Sequence, residues 1–177
     1  MRSAKSNENL KLLLDVGKLI NSDLNIDKIL HHVVEAVRRL GYDLFSIMLK
    51  DGDFLVIKAG YGFGKKKFGR IKVKIGDGIT GFVAKAGKAE IVNDVSKDKR
   101  YLDFAYETRC KSELAVPVIA GKELIGVINL EDRENEFSQE DLNVISALAA
   151  QVAVAIRNAK IKDSMELANK RLSTINE

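Results

Sequence analysis

The chain has 177 residues, of which 46% are hydrophobic and 31% charged, and its formal net charge is +4. This is ordinary globular composition, sufficient to bury one sizeable core. The single cysteine, Cys110, excludes an intramolecular disulfide and a cysteine-based zinc cluster. Because no apolar run approaches the ~20 residues of a membrane span and the first residues lack the features of a signal peptide, we expect a soluble cytoplasmic protein without a membrane partner.

Two amphipathic helices are predicted at the start of the chain. Apolar residues recur at helical spacing over residues 7–21, and again over residues 26–40, where Gly41 is the expected stop. Both helices have a wide apolar face, so we expect them to pack on a common surface.

The hydrophobic period then changes to two, which is typical of strands. The runs "YDLFSIMLK" and "DFLVIKAGY" flank the turn Asp51-Gly52, and "SELAVPVIA" and "ELIGVINLED" flank a turn at Gly121. Shorter strands are predicted at "RIKVKI" and "AEIVNDV". Two hairpins separated by short elements predict a mainly antiparallel sheet and an α+β fold.

A long last helix is predicted to begin at a capping box formed by Ser138 and Asp141. It has two apolar stripes that are out of phase, and the second is heptad-spaced: Ile161, Met165, Ala168, Leu172 and Ile175. We expect the first half to pack on the domain and the second half to form a parallel helical pair in a homodimer. The predicted organisation is a lead-in at residues 1–9, a domain at 10–159 and a helical extension at 160–177.

The stretch "KIGDGITG" contains a literal G-x-G-x-x-G at Gly76, Gly78 and Gly81. A dinucleotide site needs a buried parallel strand before the motif and a crossover helix after it. Here "RIKVKI" carries three cations on one face, and only about ten residues separate the motif from Gly87. The glycines are better explained by a tight turn into a short helix, which can still wall a small-molecule pocket.

The order of "GDGITGFVAKAGKAEIVNDVSKDKRY", "SELAVPVIAGKELIGVINLE" and "FSQEDLNVISALAAQVAVAIRNA" resembles the GAF domain family over residues 10–159. The resemblance implies a central antiparallel sheet with the N- and C-terminal helices on one face and a ligand pocket on the other. It also implies binding of a small ligand, such as a cyclic nucleotide, haem, a bilin or a metabolite. The signal would pass through the terminal helices, often in a dimer.

Cyclic-nucleotide binding is not supported by the stretch "DRENEFSQEDL". GAF domains of phosphodiesterases carry Asn-Lys, a spacer, Phe, three residues and Asp-Glu, and here only Phe137 and Asp141 match. Asp132 and Arg133 replace the Asn-Lys pair, and Leu142 replaces the Glu. A hydrophobic staple and a helix cap explain the two matches equally well.

No cofactor is predicted. Bilin attachment in phytochrome-like GAF domains uses a cysteine usually followed by histidine, whereas Cys110 is followed by Lys111. His31 and His32 lie on the polar stripe of the second helix, away from the expected pocket, and a metal site at His31 with Glu35 lacks a third ligand.

Two alternatives to a sensor remain open. One GAF-related family reduces free methionine sulfoxide through a cysteine, and Cys110 stands beside Arg109 and Lys111, whose charges favour a thiolate. The other cysteines of that family are missing here. The second alternative is a dimerisation module with an empty pocket.

The densest basic cluster is "KKKFGR" at residues 65–70. It lacks base-reading neighbours and a helix-turn-helix, so we interpret it as a solvated loop and predict no direct nucleic-acid partner.

We therefore predict a non-enzymatic, dimeric sensor domain that binds an unidentified small molecule between the sheet and residues 76–111. An attached effector domain or a partner protein would respond to a shift of the terminal helices. Asp94 could instead cap a helix, Phe82 could be plain core, and Arg109 would suit an anionic ligand. The predicted pocket residues are Ser46, Met48, Ile79, Phe82, Asp94, Tyr101, Phe104, Arg109 and Glu113.

Overall fold

The computed structural model describes residues 6–22, 25–64, 68–103 and 109–175. Its helices are α1 (Ser6–Ser22), α2 (Ile26–Arg38), α3 (Gly78–Ala86) and α4 (Gln139–Ile175). Its strands are β1 (Leu44–Asp51), β2 (Phe54–Tyr61), β3 (Lys72–Lys74), β4 (Glu90–Val92), β5 (Ser112–Ala120) and β6 (Glu123–Asp132). A 3-10 turn covers Val95–Lys97.

The six strands form one antiparallel sheet in the order β3-β2-β1-β6-β5-β4. The two predicted hairpins supply β1-β2 and β5-β6, and the pairing of β1 with β6 joins them at the centre. Gly52 and Gly121 turn the hairpins with φ of 58° and 64°, a conformation that glycine adopts at little cost. The predicted α+β fold with a central antiparallel sheet is confirmed.

Helix α2 and the first half of α4 cover one face of the sheet, and α1 packs against both of these helices. Phe45 and Ile47 of β1 point into this layer and are fully buried. Ile145, Val152 and Ile156 of α4 are also fully buried there, and truncating such a side chain to alanine typically costs about 2–5 kcal/mol. This layer is the main core, and it follows from the apolar stripes read in the sequence.

The opposite face of the sheet is covered by the short helix α3. A second core cluster forms beneath it, and Ile79 and Val83 of α3 meet apolar side chains of the strands there: Met48, Leu55, Ile57, Val73, Ala115 and Val127. Side chains alternate along a strand, so β1 sends Phe45 and Ile47 to one layer and Met48 to the other. The sheet therefore separates two packed layers.

The glycines of the G-x-G-x-x-G stretch shape the entry into α3. Gly76 and Gly78 have φ of 103° and 68°, and the Gly76 N–H donates to the Gly81 carbonyl at 2.8 Å. Helix α3 is only nine residues long and ends at Gly87, whose φ is 65°. The motif thus makes a turn into a short helix above an antiparallel sheet.

Helix α4 begins at the predicted capping box and is 37 residues long. The Ser138 N–H donates to Asp141 Oδ2 at 2.7 Å, and the Asp141 N–H donates to Ser138 Oγ at 3.2 Å. Its last fully buried residue is Ala159, and residues 160–173 are all exposed. Part of α4 is apolar and long enough to span a membrane, but half of that stretch is buried inside the protein.

Candidate functional site

The polar side chains of the site are aligned by strand register at the centre of the sheet. Ser46 of β1 lies opposite Asn129 of β6, and Leu44 lies opposite Glu131. Across the next strand pair, Glu131 lies opposite Glu113 of β5. Residues directly opposite each other share a face of the sheet. Ser46, Asn129, Glu131 and Glu113 therefore lie on the face that α3 covers.

A cavity lies between this face and α3. Its volume is about 30 Å³. The polar residues around it are Ser46, Thr80, Asn129 and Glu131, and the apolar ones are Leu44, Phe45, Met48, Ile57, Phe63 and Ile71. An apolar wall with a few convergent polar groups is the usual composition of a small-molecule pocket.

Two buried polar atoms at this cavity have no hydrogen-bond partner within the described part of the chain. They are Thr80 Oγ1 and Asn129 Oδ1, and the residues are 2% and 6% exposed. Leaving such a group unpaired costs about 1–3 kcal/mol, and native proteins keep few of them. A ligand that hydrogen-bonds to both atoms would recover that free energy.

The positions of these two side chains follow from the local structure. Thr80 is in the first turn of α3, which Gly81 holds against β3, because a Cβ at Gly81 would lie 2.5 Å from the Lys74 carbonyl. Asn129 is in the central strand β6, between β1 and β5, where its neighbours along the strand are buried and apolar. Helix α3 and strand β6 thus supply one unpaired polar atom each.

The cavity has an acidic end. Glu131 accepts hydrogen bonds from Tyr101 Oη at 3.2 Å and from Asn129 Nδ2 at 3.3 Å, and it is also hydrogen-bonded to Cys110. Glu113, opposite it, is 4% exposed. Burial raises the pKa of both carboxyl groups, and the negative charge of Glu131 further raises the pKa of Glu113. Burial, and then Glu131, also raises the pKa of Tyr101.

Arg100 lies near this end but is engaged elsewhere. Its Nη1 and Nη2 donate to Glu90 at 3.0 and 2.5 Å, and its Nε donates to Asp98 at 3.0 Å. The guanidinium also stacks on the Phe82 ring, 4.6 Å from the ring centroid. The hydrogen bonds that Asp98 accepts from Arg100 hold the pKa of Asp98 below its usual range. Arg100 therefore joins α3, β4 and the loop after the 3-10 turn.

Five of the predicted site residues lie at or beside the cavity. Ser46 and Met48 line it, and Ile79 is buried on the same face beneath α3. Tyr101 and Glu113 form part of the acidic end. Three residues of the site, Thr80, Asn129 and Glu131, are not among the pocket residues predicted from the sequence. The available signal was the polar pair at positions 129 and 131, two residues apart where the apolar run of β6 ends.

Three other predicted residues, Asp94, Phe82 and Arg109, are not part of the cavity wall. Asp94 accepts a hydrogen bond from Ser96 and pairs with Lys97 at 2.7 Å, and these contacts lower its pKa. Phe82 is 43% exposed and lies against Arg100. Arg109 is exposed and has an unusual positive φ of 31°. Phe104 lies outside the described residues.

The two matches to the cyclic-nucleotide motif have structural roles on the helix side of the sheet. Phe137 is buried in the main core, 5.8 Å from the Tyr42 ring. Asp141 caps α4 and accepts a hydrogen bond from Tyr42 Oη at 2.6 Å. Neither residue is part of the cavity wall.

A family model described as the GAF domain matches residues 23–157. The chain is 41% identical over 87 residues to the cone cGMP-specific 3',5'-cyclic phosphodiesterase subunit alpha' of Mus musculus. The matched stretch covers 45% of this chain and 10% of that protein. It is 23% identical over 171 residues to the Nif-specific regulatory protein of Azospirillum lipoferum, which covers 89% of this chain and 27% of that protein.

Solved structures with the same fold include the GAF domain of a phosphoenolpyruvate-protein phosphotransferase from Coxiella burnetii. Its TM-score is 0.84 at 24% identity, with 91% of this chain and 99% of that chain covered. The free methionine-R-sulfoxide reductase of Neisseria meningitidis, solved with its substrate, has a TM-score of 0.79 at 17% identity, with 90% and 96% covered.

The chain belongs to the GAF domain family, as the matched residues and the fold together show. GAF domains commonly serve as sensor or regulatory domains, and the Nif-specific regulatory protein is one relative of that kind. The chain spans from a tenth to about a quarter of the length of the two curated relatives described here.

Proposed function

We propose that this domain is a small-molecule sensor that regulates an effector domain or partner protein in the cytoplasm and has no catalytic activity of its own. One observation carries the proposal: two residues that line the cavity have buried polar atoms, Thr80 Oγ1 and Asn129 Oδ1, with no hydrogen-bond partner among the described residues. Such atoms are costly unless a bound molecule satisfies them. Their position beside an apolar wall fits a ligand with a polar head and an apolar body.

The cavity as it stands is too small for a metabolite. A volume of about 30 Å³ accommodates a water molecule or two. Binding would therefore displace the side chains and elements that narrow it, such as Phe63 or the first turn of α3. A ligand that fits only the widened pocket has different affinities for two states of the domain, and this difference is what a sensor needs.

The sheet supplies a route from the pocket to the helices. Strand β1 places Ser46 and Met48 at the cavity and Ile47 in the helix-side core, and Phe45 of that core also borders the cavity. A displacement of this strand by a ligand would therefore repack the layer that contains α2 and α4. Close packing makes such layers switch between arrangements rather than deform smoothly.

The proposed output surface is the exposed half of α4. Ile161, Met165 and Leu172 are 43%, 63% and 61% exposed, and they share the heptad stripe predicted from the sequence. A pair of such helices from two copies would bury the stripe in a parallel coiled coil. We propose that the domain dimerises there and that an effector responds to the geometry of the helical pair.

Native mass spectrometry of the purified protein, compared with its denatured mass, tests the ligand. The expected result is a reproducible extra mass per chain in the native spectrum. The variant Asn129→Leu, which replaces one unpaired polar atom by an apolar group of similar size, should lose that mass while keeping the fold. The sensor proposal would be contradicted if the native spectrum showed no bound compound and no compound in a metabolite thermal-shift screen stabilised the protein. The domain would then be better explained as a dimerisation module.

One observation favours an enzymatic alternative: Cys110 is hydrogen-bonded to Glu131 at the acidic end of the cavity. A free methionine sulfoxide reductase would use this thiol as its nucleophile. However, a neighbouring carboxylate disfavours a thiolate, and Lys111, adjacent in sequence, pairs with Glu136 at 3.0 Å. Turnover of free methionine sulfoxide with an added thiol, abolished by Cys110→Ser, would establish the enzyme; we expect no turnover.

A further inference from the structure

Building on the sensor function proposed above, we propose that the ligand has a primary ammonium head, which binds at the acidic end of the cavity, and a short apolar body. The site would consist of Glu131, Asn129 and Glu113, with Thr80 as a further polar contact. The proposal is specific to cationic hydrogen-bond donors and excludes ligands whose head is a phosphate or a carboxylate.

The first argument is the placement of three carboxylates on one face of the sheet. Glu131 lies directly opposite Glu113, and Glu90 lies opposite Ala115, which is itself opposite Asn129. Like charges directly opposite each other in a sheet are destabilising. Glu113 is buried and Glu131 is half-buried, so the solvent screens their repulsion incompletely. The fold keeps this arrangement at a cost that a bound cation would remove.

The second argument is that the nearby protein cation is already engaged. Arg100 acts electrostatically on Glu113, but its N–H groups donate to Glu90 and Asp98. These two ion pairs engage the single positive charge of the guanidinium, which balances only one of the two carboxylates that it contacts. Glu131 receives hydrogen bonds from neutral donors, Tyr101 and Asn129. The inner carboxylate pair is therefore left without a cation of its own among the described residues.

The third argument is the match between acceptors and donors. An ammonium group has three N–H donors and no acceptor. The acidic end offers carboxylate oxygens of Glu131 and the unpartnered Asn129 Oδ1, and the Thr80 hydroxyl faces the same cavity. A phosphate or carboxylate head would place acceptors against acceptors and a negative charge beside the buried Glu113 and half-buried Glu131 carboxyl groups. The apolar residues Leu44, Met48 and Ile57 would hold the body of the ligand.

The test uses three four-carbon probes that differ only in the head: n-butylammonium, n-butanol and n-butyrate. Each is titrated into the full 15N-labelled chain, and chemical-shift changes of backbone amides are followed at neutral pH. We expect n-butylammonium to shift the amides of residues 46, 80, 129 and 131 with a Kd on the order of 1 mM, as suits so small a ligand. We expect n-butyrate to leave them unchanged.

Two variants locate the binding. Glu131→Gln keeps the size of the side chain and one of its two acceptor oxygens but removes its charge, and it should weaken n-butylammonium binding about tenfold or more. Glu123→Gln is the matched control, because Glu123 is an exposed carboxylate of the same strand, and it should bind as the parent does. The amide spectrum of each variant reports whether it is folded, and if Glu131→Gln is misfolded, Glu113→Gln replaces it.

The outcomes separate this inference from the sensor function. Binding of n-butyrate or n-butanol at these amides as tightly as n-butylammonium would overturn the cation preference and keep the pocket as a ligand site. Binding of n-butylammonium that is unaffected by Glu131→Gln would also overturn it. Failure of all three probes overturns this inference alone if the native spectrum shows a bound compound or the thermal-shift screen finds a stabilising one. It overturns both proposals if neither measurement finds a ligand.

Discussion

The close approach of α3 to the strand before it gives a sharp prediction for Gly81→Ala. The backbone of α3 lies so near to the residues 74–76 that an ideal Cβ at Gly81 would be 2.5 Å from the Lys74 carbonyl oxygen and 3.1 Å from the Gly76 nitrogen. Both neighbours are backbone atoms, so they cannot move aside as a flexible side chain would. The variant should therefore push α3 away from the sheet and weaken the layer that roofs the cavity.

The magnitude follows from these distances. Ordinary contact begins at 3.4 Å, so the helix must retreat by about 0.9 Å, the difference between 3.4 and 2.5 Å. Overpacking of this kind costs about 1–3 kcal/mol, and strain in the hydrogen bond from Gly76 N–H to the Gly81 carbonyl adds to it. Alanine returns about 1 kcal/mol of helix propensity relative to glycine. The expected net loss is about 1–2 kcal/mol in the free energy of unfolding.

Urea unfolding followed by circular dichroism measures this loss, and Gly17→Ala is the matched control. Gly17 is also inside a helix, but its added Cβ would meet only the flexible Gln151 side chain, at 3.3 Å. That variant should be unchanged or stabilised by up to about 1 kcal/mol. If Gly81→Ala were as stable as the parent while Gly17→Ala behaved as expected, the tight packing of α3 would be refuted.

Three further outcomes are expected. Glu113→Gln should stabilise the fold at neutral pH, because burial raises the folded-state pKa of this carboxyl. The contribution of the carboxyl to stability is intact below the ordinary value of 4.5 and is lost as pH rises through the raised value, so the advantage of the variant in thermal melts should be small at pH 4.5 and grow as pH rises above it. Leu172→Glu should shift the protein from dimer to monomer in sedimentation velocity without lowering the melting temperature of the domain, whereas Leu167→Glu, on a 53%-exposed residue of the same helix outside the heptad stripe, should leave the dimer intact. Tyr42→Phe should cost about 1 kcal/mol in urea unfolding, because it removes the 2.6 Å hydrogen bond to Asp141 and little packing.

Each of these outcomes has a result that would contradict it. Glu123 is an exposed carboxylate, so Glu123→Gln should show no comparable gain in melting temperature. A similar gain in that variant would mean that burial is not the cause of the Glu113→Gln effect. A monomeric parent protein at all concentrations would end the proposal of a helical pair. A neutral Tyr42→Phe variant would mean that water replaces the lost hydroxyl at the Asp141 carboxylate.

Much of the architecture could be predicted because its signals are local. The period-two strands, the two tight turns and the Ser138–Asp141 capping box each depend on residues within a few positions of one another. The test of the G-x-G-x-x-G stretch also rested on local context, since the cations of "RIKVKI" ruled out a fully buried strand; Lys72 and Lys74 are exposed and Val73 is buried.

The site was harder to predict because it depends on strand register and on loops. Nothing within β6 alone places Asn129 opposite Ser46, since that pairing joins strands about 80 residues apart in the chain. Asp94 and Arg109 were assigned to the pocket from their location in an irregular stretch, where periodicity gives no direction for a side chain. In the structure Asp94 pairs with Lys97 within its own turn, and Arg109 is exposed.

The continuity of α4 has a mechanical consequence. Because the helix runs without a break from its packed half into residues 160–173, the exposed half is a rigid arm about 21 Å long at 1.5 Å per residue. A tilt of about 5° in the packed half would carry the tip of that arm through about 2 Å. A rearrangement of side chains too small to alter the fold could thus reach the far end of the helix as a displacement comparable to a rotamer change.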